Sequence, residues 1–543
     1  MGLESDTRYY FCVRGVTSSG KRAPPSNIVG LRTAVGPDTI PPGAIMNFEA
    51  IDSSEATVTF AFISPGDDRA MGTLSGFQMR YSETPISEQA WTSASIVNGT
   101  LPTVVLPGSR RIVIVSVEPR QRAYYAIRAI DDAGNLGPLT PSLRSGGKII
   151  PKTFVVDQHL GPFHSIQAGV VECLDGDTVM VMPGYYHEHV DFLEKQIALL
   201  SAEGPDETII DGSESPGPVV HINHRTIRAA VLQGFTITGG SGFQLGNHTY
   251  GGGVYISDGA ATLRRNAIIG NAATFYGGGV YCPGSTSNRH FVFEDNLVEL
   301  NRSRLGGGLS FGNRQTLMRN NVFRDNSCEL DGGGVILGLG VRDVLVDGNV
   351  FVGNVAGDHG GGLVISDGSG GKITLINSVF SRNSALGEDT GDTGSGGGVW
   401  VAEGSGTISN NTFIANAGGG ETPCSGGGLA LFHTVRSVIV TRNIFAENEG
   451  CGLGCRTSVT GDMGLNLFWN NTPSNLGDAP DECPASWLDS MLVVDPMFCD
   501  PASGDYAVRA DSPARRGKEV FGAIKEPCDE TDRRSQTLGN HPN

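Results

Sequence analysis

No run in this sequence approaches the ~18 apolar residues that a membrane-crossing helix needs, so no membrane span is expected in the chain. Lysine and arginine number 39 against 57 acidic residues and are nowhere clustered. Phosphate backbones are bound through clustered cations, which excludes nucleic acid as a partner. Glycine is plentiful, 78 of 543, yet it does not recur at every third residue, so a collagen helix is excluded. At 39% hydrophobic residues the chain is too apolar for disorder. These exclusions leave a folded, turn-rich, acidic protein of formal charge −18.

Ten cysteines are present, six of them after residue 420: Cys424, Cys451, Cys455, Cys483, Cys499 and Cys528. They are either buried thiols or disulfides that fix a loop-rich end in an oxidising compartment, and disulfides are the reading taken. Zinc is disfavoured because Cys451-x-x-x-Cys455 has no second close pair. The N-terminus, MGLESDTRYYFCVRG, lacks the basic-then-apolar pattern of a signal peptide. It also starts partway through a domain, so further chain is expected upstream.

The first 145 residues alternate as antiparallel strands do. "TRYYFCVRGV" puts Tyr9, Phe11 and Val13 on one face, and "RAYYAIRAI" repeats the pattern with Ala123, Tyr125 and Ile127. "ATVTFAFISPGDD" and "SGFQMRYS" supply two more strands at sandwich spacing. Here the chain resembles fibronectin type III domains, the end of one at 1–36 and a whole one at 38–146. The family's core tryptophan is replaced by Phe62 and its corner tyrosine, in the second copy, by Ala123. The resemblance implies spacer or adhesion modules without chemistry of their own.

From about 154 the texture changes. "GGG" recurs at 251, 277, 306, 332, 360, 396 and 426, at spacings of 26, 29, 26, 28, 36 and 30. In phase with it runs Asn-x-apolar-x-x-Asn: Asn266/Asn271, Asn296/Asn301, Asn321/Asn326, Asn349/Asn354, Asn411/Asn416 and Asn443/Asn448, with Ser378 breaking one coil. Self-similarity at this period signals a solenoid. Each unit holds three short β runs and no helix, which gives a parallel β-helix of roughly ten to twelve coils, stacked about 4.8 Å apart. Asparagine at the corners tolerates left-handed backbone and can ladder its amides from coil to coil. The glycines serve positive φ or close approach, and no lysine follows them as in a phosphate loop. "HSIQAGVVECL" is expected as a short helix plugging the first coil through Ile166, Val170 and Leu174. Turns and one strand near 493–514 are expected to cap the last.

"SIQAGVVECLDGDTVMVMPGYYHEHVDF", "TIIDG" and "GFTITGG" are similar to the opening of right-handed, pectin-lyase-like β-helix proteins, over about 154–515, leaving 516–543 as a tail. The F-x-x-N and GG pairing also looks like the repeats of polymorphic outer-membrane proteins. The pectin-lyase-like class implies a fold more than an activity. In its catalytic members the site lies along the strand after the Asn turn and loop, which here begins at GGG. Alternation points Tyr255, Tyr281, Ser310, Ile336, Val364, Trp400 and Ala430 outward from that strand.

This column carries no carboxylate, lysine or arginine. A lyase would need a base and cations, and a glycosidase two carboxyl groups roughly 5–9.5 Å apart. The loops before GGG carry Glu329, Asp331, Asp358, His359, Glu388, Asp389 and Asp392. Asp331 and Asp358 are calcium candidates if they stack one coil apart, although solvated loop acids suit this charge equally well. Asp358 and His359 are the catalytic candidates, weakened because adjacent residues on an extended chain point to opposite faces. Tyr255, Tyr281 and Trp400 are candidate carbohydrate contacts. The expected protein is secreted or surface-bound and binds a polysaccharide or another surface ligand without catalysis or a required cofactor. The alternatives are a calcium-assisted polysaccharide lyase or other carbohydrate-active enzyme, such as a glycoside hydrolase, and a structural stalk.

Overall fold

The structure, a computed structural model, describes residues 3–528 apart from 5, 34–37, 70, 104, 119–121, 148–149, 224–228, 259, 284–289, 313–314, 339–342, 367–371, 388–394, 420–423, 456–458, 478–482, 517–518 and 525. Contacts divide the chain into two compact units, Met1–Ile150 and Pro151–Asn543.

In the first unit, strands Met46–Ser53, Thr57–Ile63 and Arg110–Ser116 form one antiparallel sheet. Ser95–Ile96, Gly76–Ser82, Arg122–Ile130 and Leu143–Gly146 form another. One buried cluster is built from strands of both, with Phe60 against Tyr125 and Phe62 edge-on to Phe77. Ala123 is buried in the same cluster. Among the described residues Arg8–Phe11 pairs only with Val29–Arg32, and Phe11 and Val13 are exposed, so this ribbon buries no core face there.

The second unit is an all-β solenoid. Its third face is a parallel sheet of 12 strands, from Gly184–His187 to Met491–Val493. The first and second faces are joined in one 20-stranded sheet, because Val399–Ser409 and Leu429–Thr441 run through both without a break. A short fourth run stacks from Arg302–Ser303 to Ala417–Gly418. Inward residues stack in columns of like side chains. Phe323, Phe351, Phe380, Phe413, Phe445 and Phe468 lie 4.6 to 5.1 Å apart and nearly parallel.

The asparagines occupy two buried rows. In each, the backbone N–H and one side-chain N–H donate to the Oδ1 of the next coil, as from Asn321 to Asn349 (3.0 and 2.9 Å). The other side-chain N–H donates to a carbonyl of the previous coil, as from Asn321 to Phe293 (2.7 Å). Asn266, Asn296, Asn411 and Asn443 do the same. Asn349 meets Ser378 instead and turns its amide to Asp347 O and Met318 O. The left-handed residue at these corners is the one before the asparagine, such as Arg265, Asp295, Asn320 or Arg442. The asparagine is therefore present for its amide and not for its backbone. In the GGG motif the first glycine takes positive φ, and a Cβ on the second would lie 1.9–2.5 Å from the nearest carbonyl oxygen of the next coil.

The helix spans Ile166–Glu172 and buries Ile166 and Val170 in the solenoid core. Ser165 Oγ accepts from Ala168 N, and the Glu188 carboxylate accepts from Ile166 N and Gln167 N. Because the helix stops at Glu172, Cys173 enters the core in place of Leu174. At the other end Trp487, on the turn Ala485–Ser490, joins that core. Strands Phe498–Asp500 and Asp505–Val508 do not close the end as expected. They lie on the outside of the third face, where Tyr506, Val508 and Phe521 cover Val379, Ile414, Ile444 and Leu467.

Candidate functional site

On the first face the strand register carries one outward column through Asp191, His221, Tyr255, Tyr281, Ser310, Ile336, Val364, Trp400 and Ala430. A second column stands beside it, made of the residue before each GGG. It runs through Tyr250, Tyr276, Leu305, Asp331, His359, Ser395 and Ser425, joined coil to coil by backbone bonds. These pre-glycine residues fold over the outward column. Tyr255 keeps only 7% of its surface, and Val364 and Ala430 keep none. Of the candidate carbohydrate contacts, Tyr255 is therefore buried, and Tyr281 and Trp400 are half-buried.

Where both columns are aromatic they make a tyrosine quartet. Tyr281 lies 5.9 Å from Tyr255, 5.6 Å from Tyr276 and 5.3 Å from Tyr250, while Tyr250 and Tyr276 are 6.1 Å apart. None of the four hydroxyls has a hydrogen-bond partner among the described residues. Burial pushes the Tyr281 hydroxyl well up, and the other three phenols oppose its ionisation further, so Tyr281 stays a neutral donor and acceptor. Half-buried Phe275 extends the surface beyond Tyr276, touching His248 (4.6 Å) and the exposed Arg304 guanidinium (5.5 Å).

The hairpin Phe243–Leu245/His248–Tyr250 roofs the start of the strip. It is pinned to the next coil by a reciprocal pair: Thr249 N donates to Thr274 Oγ1 (2.7 Å) and Thr274 N to Thr249 Oγ1 (2.9 Å). Phe243 stacks flat on Tyr255, at 4.4 Å and 7°.

Beneath that ring is an acid–imidazole pair that sequence reasoning missed. Asp191 Oδ2 lies 2.8 Å from His221 Nδ1, while Leu193 N donates to Oδ1. Burial alone would raise the Asp191 carboxyl, but the bonds from His221 and Leu193 outweigh it and hold the acid below its ordinary value. His221 Nε2 is buried without a partner among the described residues, a state that costs about 1–3 kcal/mol. The coils before residue 251 carry no GGG, so the column was traced only from Tyr255. "HVDF" and "VVHIN", each with a polar residue between buried ones, were the available signal.

Farther along, His359 pairs with Asp331, one coil back, and not with its neighbour Asp358. Nδ1 lies 3.0 Å from Asp331 Oδ1, and His359 N donates to the same oxygen at 3.2 Å. The imidazole stacks on half-buried Trp400 at 4.4 Å. Asp358 N donates to Leu330 O, which aligns it with the residue before Asp331 and not with Asp331 itself. Among the described residues the one group of three potential metal ligands is Asp38, Asp67 and Asp132, in the Met1–Ile150 unit. Asp331 and Asp358 form no such group. Glu388, Asp389 and Asp392 lie outside the described residues.

Among the described residues, no helix is long and apolar enough to cross a membrane. Three disulfides join Cys424–Cys451, Cys455–Cys483 and Cys499–Cys528. No curated protein sequence matches this chain. Among solved structures, the family 28 exopolygalacturonase of Yersinia enterocolitica is 11% identical, with 83% of this chain and 98% of that chain covered and a TM-score of 0.27. That likeness is too low for residues to be carried across. The family model described as the right handed beta helix region matches residues 212–413, the stretch that holds the hairpin, the tyrosine quartet and the Asp331–His359 pair.

Proposed function

We propose that the protein is an extracellular β-helix that binds polysaccharide along this strip, with the tyrosine quartet as the main contact. The observation that carries it is four neighbouring phenol hydroxyls, none bonded to another described residue, set on stacked aromatic faces. Sugars offer ring faces for stacking and hydroxyls for pairing, and this surface matches both. The three disulfides support an oxidising location. The N-terminal sheets act as fibronectin-type spacers in this proposal.

The test is retention of the whole chain on immobilised acidic and neutral polysaccharides. Tyr276→Ala is expected to weaken retention about tenfold, near 1.4 kcal/mol. Trp469→Ala, an exposed aromatic on the third face, is expected to leave it unchanged. Equal loss in both variants would point to general stickiness.

The Asp331–His359 pair favours a second reading, a polysaccharide lyase with His359 as base. Incubation with acidic polysaccharides, with and without calcium, checks it through the ultraviolet absorbance of unsaturated uronates. A rise abolished by His359→Ala would establish elimination, and a calcium requirement would make the ion part of it.

A further inference from the structure

We infer that Phe243 is a gate over a closed saccharide subsite, in which Tyr255 is the stacking platform and His221 Nε2 accepts a sugar hydroxyl. This rests on the polysaccharide-binding reading and deepens it.

Three observations converge. First, Phe243 and Tyr255 are closer and flatter than any ring pair within the quartet, at 4.4 Å and 7°. This parallel placement is the one a pyranose ring takes on an aromatic face. Phe243 is half-buried, so one side of it meets solvent and its side chain can swing out without unpicking the hairpin. The backbone stays held by the Thr249–Thr274 pair and by Ser241 N and Gly242 N donating to Gly217 O.

Second, His221 is set up as an acceptor. In the neutral imidazole the Asp191 carboxylate against Nδ1 favours the proton on that nitrogen, which leaves the lone pair on Nε2. That nitrogen is buried and unpartnered, with Phe243 at 5.2 Å and Tyr255 at 5.3 Å from the imidazole. Asp191 is itself fixed, since its N–H donates to Gln167 Oε1 and its carbonyl accepts from Gln167 Nε2. An oriented acceptor sealed under an apolar ring has no structural purpose while the ring stays down. Once Phe243 leaves, the same nitrogen faces whatever replaces it.

Third, the subsite continues the quartet. His221, Tyr255 and Tyr281 are consecutive in the outward column, so a sugar under the gate is the next unit of a chain lying on Tyr276 and Tyr281.

The test is titration of the whole chain with cellohexaose and, separately, with a galacturonate hexasaccharide. Phe243→Ala is expected to bind at least one of them threefold or more tighter than the parent. His221→Ala added to Phe243→Ala is expected to remove that gain, and Phe243→Leu, which keeps an apolar cover without a flat ring, to fall between. Tighter binding by Phe243→Ala when the parent shows none would also support the gate. Phe243→Ala binding no tighter, while Tyr276→Ala still weakens the parent, would overturn the gate and leave the quartet standing. If neither parent nor Phe243→Ala binds either sugar, both proposals fall together. Native-like amide-exchange protection over 190–256 certifies the fold of each variant, and Phe243→Leu decides the question if Phe243→Ala fails that check.

Discussion

A ladder asparagine gives one amide hydrogen forward and one back and accepts two from behind, so replacing one disturbs three coils at once. Asn354→Ala would leave Asn326 N, Phe323 O and Asn383 Oδ1 short of partners inside the core. At roughly 1–3 kcal/mol for each buried orphan, a loss of at least about 3 kcal/mol is expected in urea unfolding. The natural break in the ladder predicts the reverse. Ser378 cannot reach back to the previous coil as its neighbours do, and Ser378→Asn is expected to stabilise by about 1 kcal/mol in the same measurement. The rows were legible in the sequence because asparagine recurs in phase. Their geometry was not, because an αL residue at the preceding position can be Arg, Asp, Asn or Leu and leaves no compositional mark. Asp191 also acts at this scale. Its folded carboxyl lies below the ordinary aspartate value of 3.8, so the stability it adds is complete above that value and disappears as pH falls through the lower folded one. Asp191→Asn should therefore be less stable than the parent at neutral pH, with the gap closing below about pH 4 in an acid titration.

Among elements, strands were easier to anticipate than what lies over them. Period-two alternation determines which side of Val254–Ile256 faces the core, because Val254 and Ile256 must be inward together. It carries no information about a residue five positions earlier folding back, which is how Tyr250 and Tyr276 come to lie against Tyr281. The hairpin at 243–250 is equally silent in the repeat, since it interrupts one coil only. Helix Ile166–Glu172 was visible from its spacing, and its second cap, Glu188, comes from the bend between strands Gly184–His187 and Val190–Asp191, which local reading could not connect to it. The three disulfides span 27, 28 and 29 residues, each worth about 3–4 kcal/mol in the chain-entropy view. Reductant is expected to lower amide-exchange protection across 424–528 and to leave coils 178–380 unchanged, because stacked repeats couple mainly to their neighbours. Loss of protection in both regions would mean that the solenoid unfolds as one unit.

Across the whole solenoid, every ladder bond points the same way. In the row from Asn271 to Asn471 one side-chain N–H of each asparagine aims at the Oδ1 of the coil that follows, without reversal, while the other turns back to a carbonyl of the coil before. At the first coil the acceptor Asn271 Oδ1 is met by Gly240 N, and at the last the donor Asn471 Nδ2 is met by Asn475 Oδ1. Two parallel files of amide dipoles therefore run along the axis, negative toward the early coils and positive toward the late ones. Side chains alone thus give this all-β rod an electrical direction of the kind an α-helix draws from its backbone. The same orientation sets an order of assembly. A chain made from its N-terminus always carries one forward-facing pair of donors awaiting the oxygen of the next coil, so each finished turn presents the template for the turn that follows.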